Sequence, residues 1–394
     1  MKRTHRILLT LALMLFASAL TCLILALTVG RGLGLFNNRF MDIREYAALL
    51  KRIDNDYIGE ADKDEITAMA LRAAVYSLDD RWSYYLTAEE YADYINSSNN
   101  RFTGIGVTVV IDEETNGVMI KSVYKDSSAD IAGLLAGDVI TAVDGESVVG
   151  IDINALRTLL SRQIGETATL TVMRDALIID DITVEYGYVY VDPVRYEMLD
   201  GNIGYIYIQN FDGGSGERFI GAVDQLLERG ASSMVFDVRG NGGGRVSEMA
   251  MILDHLLPEG EIFVAVDKEG NEDIILSQPD SIDIPCVVLV NQYSYSAAEY
   301  FAATLSEYDY AVTVGQQTTG KSRSQMTYRL PGGGAIHLST GQYLTKNRVS
   351  LYDAGGLVPD HAIAMTDGEA EQWALGYLAY EDDPQLLAAL ALLN

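Results

Sequence analysis

The strongest constraint on the fold is an alternation of apolar, strand-like runs with amphipathic helical segments beyond Pro193. In chain order the pattern predicts a strand at 203–208, a helix at 216–229, a strand at 233–238, a helix at 247–257, a strand at 286–290, a helix at 296–308 and a strand at 311–314. Strands that alternate with helices form a sheet with helices on its faces. The sequence therefore predicts an α/β core, a mixed sheet with flanking helices, over residues 188–366.

Three further regions surround this core. Residues 41–100 carry apolar side chains at helical spacing and predict an N-terminal helical region. Residues 101–187 switch to a strand-like period, beginning with the run from Gly104 to Ile111, and predict one small β-rich domain. Residues 367–394 predict a C-terminal helical tail that is interrupted at Pro384.

The first 40 residues predict a membrane anchor. No charge interrupts the run from Ile7 to Val29, which is long enough to cross a hydrocarbon core of ~30 Å. Lys2, Arg3 and Arg6 precede the run, so the N-terminus is expected in the cytoplasm and the body outside it. A cleavable signal peptide is the alternative, because 17–19 has the form Ala-Ser-Ala, but the run continues well beyond it. We therefore expect a single-pass membrane protein.

Charge and cysteine content exclude two other classes. The chain has 28 Lys+Arg against 56 Asp+Glu, a net charge of -28 at pH 7. A body this acidic repels phosphate backbones, so no nucleic-acid partner is expected. Two cysteines, one of them inside the apolar run, cannot form a disulfide framework.

The four histidines do not form a metal-binding pattern. None is paired at a metal-ligand spacing, so the sequence predicts no metal site. A Ser-His-Asp arrangement stays open only through His337 or His361, which sequence alone cannot place.

Residues 315–322 fit the phosphate-loop pattern G-x-x-x-x-G-K-[ST] after a predicted strand. That loop must open a helix whose N-terminal amides bind the phosphates. Here residues 324–330 are strand-like, so a nucleotide enzyme is a disfavoured alternative.

Four features are candidates for nucleophilic chemistry. Ser296 begins a predicted helix directly after a strand, where the helix dipole favours negative charge; an N-cap is the simpler alternative. Lys321 follows after one helix and one strand and could act as a base if buried, or be a solvated loop cation. Gln325 lies four residues after Lys321, so in a strand-like segment the two side chains lie on the same face. Glycines 242–244 form either a tight turn or a nest of amides for an oxyanion.

Together these motifs resemble the carboxyl-terminal processing protease family. The resemblance rests on Val-Leu-Val-Asn291 with Ser294-Tyr-Ser296-Ala-Ala-Glu299, on Gly320-Lys321-x-x-x-Gln325, and on Asp-x-Arg239-x-Asn-x-Gly-Gly244. It extends to residues 77–85, Ser-Leu-Asp-Asp-Arg-Trp-Ser-Tyr-Tyr, and to Gly356-Leu-Val-Pro-Asp360. Phe102-Thr-Gly-Ile-Gly106-Val lies where the family begins a PDZ-like domain, so the β-rich region is expected to be an inserted PDZ-like domain.

This resemblance implies a serine endopeptidase with a Ser–Lys dyad and no metal or organic cofactor. Ser296 would be the nucleophile, Lys321 the general base and Gln325 the residue that orients the lysine amine. The oxyanion would be held by the backbone N–H of Ala297 and by one glycine of 242–244, with Gly243 favoured.

The PDZ-like domain implies protein or peptide partners with free C-termini, bound by β-augmentation. The backbone amides of Gly104, Ile105, Gly106 and Val107 would receive the terminal carboxylate, and Leu156 and Leu159 would wall an apolar pocket. A catalytically silent scaffold that binds C-termini is the alternative. The sequence leaves open whether a homo-oligomer or a regulatory partner is involved.

The chain departs from the family pattern at several positions. Tyr293 and Tyr295 replace small residues near the nucleophile, and Ala298 stands at a position that is commonly serine. Gly242 replaces a usual proline, and Thr319 a usual aromatic residue. Because all catalytic residue types are retained, an active enzyme with a reshaped cleft is expected.

Overall fold

The structure, a computed structural model, describes residues 14–25, 40–112 and 116–394. The chain divides into two compact units, residues 1–73 and 74–394, which are described separately. The first unit contains helix α1 over residues 14–25, α2 over Phe40–Asp56 and most of α3, Lys63–Tyr76. In these described ranges no helix is both long and apolar enough to span a membrane. Residues 7–13 and 26–29 of the predicted anchor lie outside the described residues.

The larger unit is built on a six-stranded mixed sheet in the order β10-β11-β12-β15-β16-β19. Its strands are β10 Val194–Leu199, β11 Ile203–Ile208, β12 Ser233–Asp237, β15 Cys286–Val290, β16 Ala311–Gly315 and β19 His361–Ala362. The pairing of β10 with β11 is antiparallel and all other neighbours are parallel. This arrangement confirms the predicted α/β core with a mixed sheet.

Helices cover both faces of this sheet. The helices of the core and tail are α7 Ser215–Glu228, α8 Val246–Leu256, α9 Ala297–Glu307, α10 Asp367–Ala374 and α11 Pro384–Leu393. Side chains of α7, α8 and α9 pack with one face of the strands in the main hydrophobic cluster, which includes Phe219, Phe236 and Phe301. Leu386 and Ala389 of α11 pack with Val235 and Leu289 on the opposite face. The predicted core helices and strands lie within one or two residues of the observed ones.

The helical tail is interrupted as predicted, but Pro384 ends the interruption and begins the next helix rather than breaking one. Pro384 is the first residue of α11, and the carboxylate of Asp383 caps the helix by accepting the N–H groups of Gln385 and Leu386, each at 3.0 Å. Proline suits this position because its missing N–H would have no intrahelical partner there. The break begins after α10, where Gly376 has φ 73°, and it ends at Pro384.

A second, antiparallel sheet stands beside the core and was only partly anticipated. It has the order β1-β18-β13-β14, with β17 also paired to β18. The strands are β1 Tyr84–Leu86, β13 Gly260–Asp267, β14 Glu272–Ser277, β17 Arg323–Arg329 and β18 Ala335–Leu344. Strand β1 lies in a region predicted to be helical; it is extended because it pairs with residues 335–337, a long-range contact that local spacing does not reveal. Helix α4, Ala88–Ser97, follows it and begins with a capping box formed by Thr87 and Glu90.

Residues 107–185 form a separate β domain with its own hydrophobic core. Its strands are β3 Val107–Ile111, β4 Val118–Val123, β5 Val139–Val143, β6 Glu146–Ser147, β7 Thr167–Arg174 and β8 Leu177–Glu185. They pair in the order β3-β4-β5-β7-β8, with β6 beside β5, and the short helices α5 Ser128–Ile131 and α6 Ile153–Leu159 complete it. Strand β2, Arg101–Gly104, precedes the domain and strand β9, Gly187–Tyr190, follows it. The two strands pair as an antiparallel ribbon.

The strand predicted from Gly104 to Ile111 is broken into β2 and β3. Gly106 adopts φ 92°, and a Cβ atom there would lie 2.2 Å from the Cβ of Ser127. Only glycine combines this conformation with so close an approach. The break produces a loop, residues 105–106, at the start of the β domain.

Candidate active site

The predicted catalytic residues meet in one cavity of about 770 Å³. Ser296, Lys321, Gln325 and Gly243 all line it, and Ala297 follows Ser296 directly. Its wall also includes Trp82, Tyr84, Tyr94, Asp212, Tyr295, His337 and Tyr343. The cavity therefore lies between the carboxyl ends of core strands and the second sheet.

Ser296 stands at a strained turn between β15 and α9. Its φ of 61° and ψ of -126° are unusual for a residue with a side chain. Such a backbone costs of order 1–3 kcal/mol and persists only where its surroundings enforce it. Three hydrogen bonds hold the loop before it: Ser294 Oγ donates to the Val238 carbonyl at 2.8 Å, Tyr295 N–H to the Asn241 carbonyl at 3.1 Å, and Gly240 N–H to Asn291 Oδ1 at 3.0 Å. Ser296 is thereby presented at the N-terminus of α9, where the helix dipole favours negative charge.

A fully buried carboxylate, Glu299, ties the serine turn to the lysine segment. Its Oε2 accepts the N–H of Ser296 at 3.0 Å and the N–H of Lys321 at 2.9 Å. Its Oε1 accepts the N–H of Gly320 and the hydroxyl of Thr318, both at 2.5 Å. Burial raises the pKa of Glu299, and these hydrogen bonds act in the opposite direction. One carboxylate therefore fixes both candidate catalytic backbones.

Lys321 places its amine among aromatic rings. Its Nζ lies 4.3 Å from the ring centroid of Trp82 and 6.0 Å from that of Tyr295. In the described part of the chain the amine has no hydrogen-bond or ion-pair partner. Burial lowers the pKa of Lys321 to about 8, although the charges of Asp80 and Glu299 act to raise it. A substantial neutral fraction is therefore available at mildly alkaline pH, as a lysine base requires.

The glycine loop after β12 packs against the serine turn. Gly243, with φ 92°, approaches so closely that an added Cβ would lie 2.8 Å from the Cβ of Ser296 and 2.9 Å from the nitrogen of Ala297. Gly244, with φ 147°, packs in the same way against the backbone of Phe211. Residues with side chains cannot replace these glycines without moving the turn.

The backbone N–H groups near Ser296 differ in whether they are free to donate to a ligand. The N–H of Gly243 donates to Oδ1 of Asn241 at 2.8 Å, so in this arrangement it is occupied. Across the described residues, the N–H groups of Ala297, Gly242 and Gly244 have no hydrogen-bond partner. The predicted contribution of Ala297 is thus compatible with the geometry, whereas Gly243 can donate to a ligand only after its bond to Asn241 breaks.

Gln325 shares the cavity with Lys321 but is not bonded to it. Its side-chain Nε2 donates to the Arg323 carbonyl at 2.8 Å and to Ser339 Oγ at 3.2 Å. A register shift between Ser324 and Gln325 in the pairing of β17 with β18 interrupts the regular alternation of side chains there. Strict alternation over four residues, on which the expectation for Gln325 was based, therefore does not hold.

The structure also bears on the two candidate histidines and on the phosphate-loop alternative. His337 lines the cavity, where Tyr84 stacks on it at 4.8 Å, its Nδ1 bonds with Thr327 Oγ1 at 2.8 Å, and burial lowers its pKa to about 4. His361 is exposed at the start of β19 and does not line the cavity. After Lys321 the chain enters strand β17 rather than a helix. The helix that a phosphate-binding loop must open is therefore absent after Lys321, as predicted.

The β domain places its predicted binding residues around the 105–106 loop. In the described residues the N–H groups of Ile105 and Gly106 have no hydrogen-bond partner, and the carbonyl of Ile105 accepts from Ala129 at 2.9 Å. Gly104 pairs with Gly187, and Val107 with Val123. Leu156 is only 1% exposed and belongs to the domain core, so Leu159, which packs at the edge of that core, is the more accessible of the two.

Two residues that line the cavity, Trp82 and Tyr343, and the buried Glu299 behind it were not assigned a role from the sequence. Trp82 lies just before β1, and Tyr343 lies on β18. The strands of this second sheet pair over long distances along the chain, which local spacing does not reveal. Glu299 belongs to the motif around Ser296, but the motif alone does not indicate what this side chain does. The signal that could have marked it is a charged residue between two apolar pairs, 297–298 and 300–301, since a buried carboxylate requires several donors.

Comparisons with known proteins fit this geometry. Residues 202–363 match the family described as Peptidase family S41, and residues 119–174 match the family described as PDZ domain. The chain is 29% identical over 307 residues to "Carboxy-terminal processing protease CtpA" of Bacillus subtilis (strain 168), covering 77% of this chain and 66% of that protein. It is 28% identical over 335 residues to the "Probable CtpA-like serine protease" of Staphylococcus haemolyticus (strain JCSC1435), covering 84% and 66%. The chain thus matches slightly less than two thirds of the length of these relatives.

A solved structure shares the fold. The crystal structure of a "Putative S41 protease" from Bacteroides fragilis NCTC 9343 superimposes with a TM-score of 0.54 at 19% identity, covering 86% of this chain and 90% of that one. At this identity the likeness concerns the fold of the chain.

Proposed function

We propose that the chain is a serine endopeptidase of the carboxy-terminal processing type, a member of peptidase family S41 with a PDZ domain, because residues 202–363 and 119–174 match the models of those two families. One observation carries the proposal: Ser296 at a strained helix start and the shielded amine of Lys321 line the same cavity. A nucleophile and a base of depressed pKa at one cavity are what acyl transfer requires.

In the proposed mechanism, neutral Lys321 removes the proton from Ser296 Oγ as that oxygen attacks the carbonyl carbon of the scissile peptide bond. The tetrahedral intermediate collapses to an acyl-enzyme when the C–N bond breaks, and protonated Lys321 returns its proton to the leaving amine. Lys321 then deprotonates a water molecule, which hydrolyses the ester. The strained turn and the N-terminus of α9 keep Ser296 in position throughout.

We assign oxyanion stabilisation to the N–H of Ala297 together with one amide of the 242–244 loop. The unpartnered amides of Gly242 and Gly244 support a donor from this loop, and Gly243 becomes a donor when its N–H leaves Asn241. We keep the assignment of Gln325 as the residue that orients Lys321; in this role its amide must leave Arg323 and Ser339. Each oxyanion donor of this kind is worth about 10²–10³ in kcat.

Substrates are proposed to be proteins or peptides with free, apolar C-termini. The unpartnered N–H groups of Ile105 and Gly106, beside the edge strand β3, support capture of a terminal carboxylate with strand addition. The name of the relative from Bacillus subtilis, a carboxy-terminal processing protease, supports substrates that are cleaved near their C-termini. Capture would deliver an extended chain to the cavity that contains Ser296.

We further propose that the body is extracytoplasmic and membrane-anchored. The uncharged run from Ile7 to Val29, preceded by three basic residues, supports this topology. Alkaline phosphatase fused after Asn394 should be active in intact cells, and the fusion should fractionate with membranes. An inactive, soluble fusion would contradict the proposal.

The activity is tested with the full chain in detergent, as wild type, Ser296→Ala and Lys321→Ala. An unfolded protein with an apolar C-terminus is incubated with each, and mass spectrometry identifies the products. Cleavage by wild type alone is expected. Equal cleavage by wild type and Ser296→Ala would contradict the assignment of the nucleophile.

A matched pair of substrates separates peptidase from scaffold. The same peptide is prepared with a free and with an amidated C-terminus, and its binding and cleavage are measured. The proposal predicts tighter binding and faster cleavage of the free acid. Tight binding of the free acid with no cleavage would contradict the peptidase and favour the silent scaffold.

A further inference from the structure

The segment of residues 80–86 has no role in the proposed function, yet it forms a wall of the cavity. Ser83 Oγ donates to Asp80 Oδ2 at 2.6 Å, and the N–H of Ser339 donates to Ser83 Oγ at 3.0 Å. Immediately after Ser83, Tyr84 pairs with His337 as β1 joins β18. The chain directly after Trp82 is therefore fixed to the second sheet, and Asp80, two residues before Trp82, is bonded to Ser83.

Two cations lie over the ring of Trp82. Lys321 Nζ is 4.3 Å from the ring centroid of Trp82, and the guanidinium carbon of Arg81 is also 4.3 Å from it. The ring of Tyr295 packs against that of Trp82 with centroids 5.7 Å apart. Since the amine of Lys321 has no polar partner among the described residues, aromatic faces define where it sits.

We propose that Trp82 is a positioning residue for Lys321: its ring restricts the side chain of the base and shields the amine from water. The inference rests on the proposed function, because it assigns Trp82 a task only if Lys321 is the base. An aromatic face attracts an ammonium group by about 0.5–2 kcal/mol, which suffices to select a side-chain conformation. The same ring occupies space that water would otherwise fill.

Burial and the nearby carboxylates change the pKa of Lys321 in opposite directions. Burial lowers the pKa of the amine to about 8. The carboxylates of Asp80 and Glu299 raise it, and Arg81 lowers it. The other titratable groups near the amine are Tyr295, whose ring faces it, His337, on which Lys321 acts electrostatically, and Tyr343, whose hydroxyl donates to the Lys321 carbonyl.

Two substitutions in the full chain separate positioning from mere folding. Trp82→Ser removes the ring and admits water. Because hydration of the ammonium group outweighs its lost attraction to the ring, the pKa of Lys321 should rise toward its ordinary value of 10.5. The acid limb of kcat/KM should move up by about one to two pH units, with kcat at pH 7 reduced roughly 10–100-fold and KM changed less than about threefold. Trp82→Phe retains an aromatic face and should restore the wild-type pH limb.

A second readout does not depend on proteolysis. In a Ser296→Ala background, the pH dependence of Lys321 acetylation by acetic anhydride is followed by mass spectrometry, with and without Trp82→Ser. The midpoint should rise by the same one to two units. If wild type fails to cleave but this midpoint shifts, the proposed function fails and the shielding by Trp82 stands.

Three outcomes would overturn the inference. The first is a Trp82→Ser variant whose rate falls by one factor at every pH, with an unchanged labelling midpoint, which indicates a structural role. The second is a higher KM with unchanged kcat, which indicates a substrate contact. The third is a Trp82→Phe variant that shows the same pH shift as Trp82→Ser.

Discussion

The carboxylate of Glu299 accepts the backbone N–H of Lys321 at 2.9 Å. This bond joins the first turn of α9 to the segment that follows β16, two parts of the chain separated by a helix and a strand. Because the same oxygen also accepts the N–H of Ser296, the two candidate catalytic residues share one buried anchor. The relative position of Ser296 and Lys321 is therefore fixed by a buried carboxylate that does not itself line the cavity.

Replacing Glu299 with Gln should weaken this anchor. One side-chain oxygen becomes an NH₂ group that faces N–H donors, so we expect a loss of about 1–3 kcal/mol in stability and of about tenfold or more in kcat/KM. The lost negative charge should also move the acid limb of activity to lower pH, because Glu299 raises the pKa of Lys321. Thermal unfolding and a pH profile are measured, with exposed Glu371→Gln as the control. An unchanged profile and stability would contradict the role.

Activity should depend on pH through Lys321. The amine must be neutral to act as a base, and its pKa is lowered to about 8, so kcat/KM should rise with pH and level off above about 8. Below that value it should fall about tenfold per pH unit. A limb near pH 10 would contradict the shielding of the amine.

Lys321 and His337 are rival bases because both line the cavity. The Nδ1 of His337 is engaged by Thr327, and its pKa is lowered to about 4 by burial. Lys321→Ala should reduce kcat by about 10²–10⁴, and His337→Gln should cost far less. Steady-state kinetics on the two variants are compared. A larger loss in the histidine variant would identify a Ser–His enzyme instead.

The close approach at Gly243 can be tested by adding one methyl group. Gly243→Ala would place a Cβ 2.8 Å from Ser296 and requires φ 92°, so the turn must move and kcat should fall by ~10² or more. Gly221→Ala in helix α7 is the matched control, because its Cβ would meet nothing within 4 Å. Equal activity of both variants would show that the loop is not part of the site.

The tail is tied to the glycine loop by a buried ion network. Arg239 Nη1 bonds to Asp383 and Gln385 at 3.1 and 3.0 Å, and its Nη2 bonds to Asp237 at 2.6 Å. Because Arg239→Leu leaves buried carboxylates unpaired, we expect about 3–5 kcal/mol of destabilisation. Urea unfolding followed by tryptophan fluorescence measures this, since the Trp373 ring lies 5.2 Å from Arg239. Exposed Arg229→Leu is the control, and equal midpoints would contradict the account.

The sequence predicted the core well because its elements depend on local spacing. The helices α7, α8 and α9 and strands β11, β12, β15 and β16 each show their own periodicity. Strand β1 and the position of Trp82 escaped prediction because both depend on pairing with β18, about 250 residues away along the chain. The hydrogen bond from Gly243 to Asn241 escaped it because a run of glycines does not indicate which amides point outward.

Covalent capture of Ser296 tests the central claim most directly. The full chain is treated with a fluorophosphonate, and the modified residue is located by peptide mass spectrometry in wild type, Ser296→Ala and Lys321→Ala. The account predicts modification at Ser296 in wild type, none in Ser296→Ala, and a rate at least about tenfold lower in Lys321→Ala. Modification of another residue, or an equal rate without Lys321, would contradict a nucleophile at Ser296 activated by Lys321.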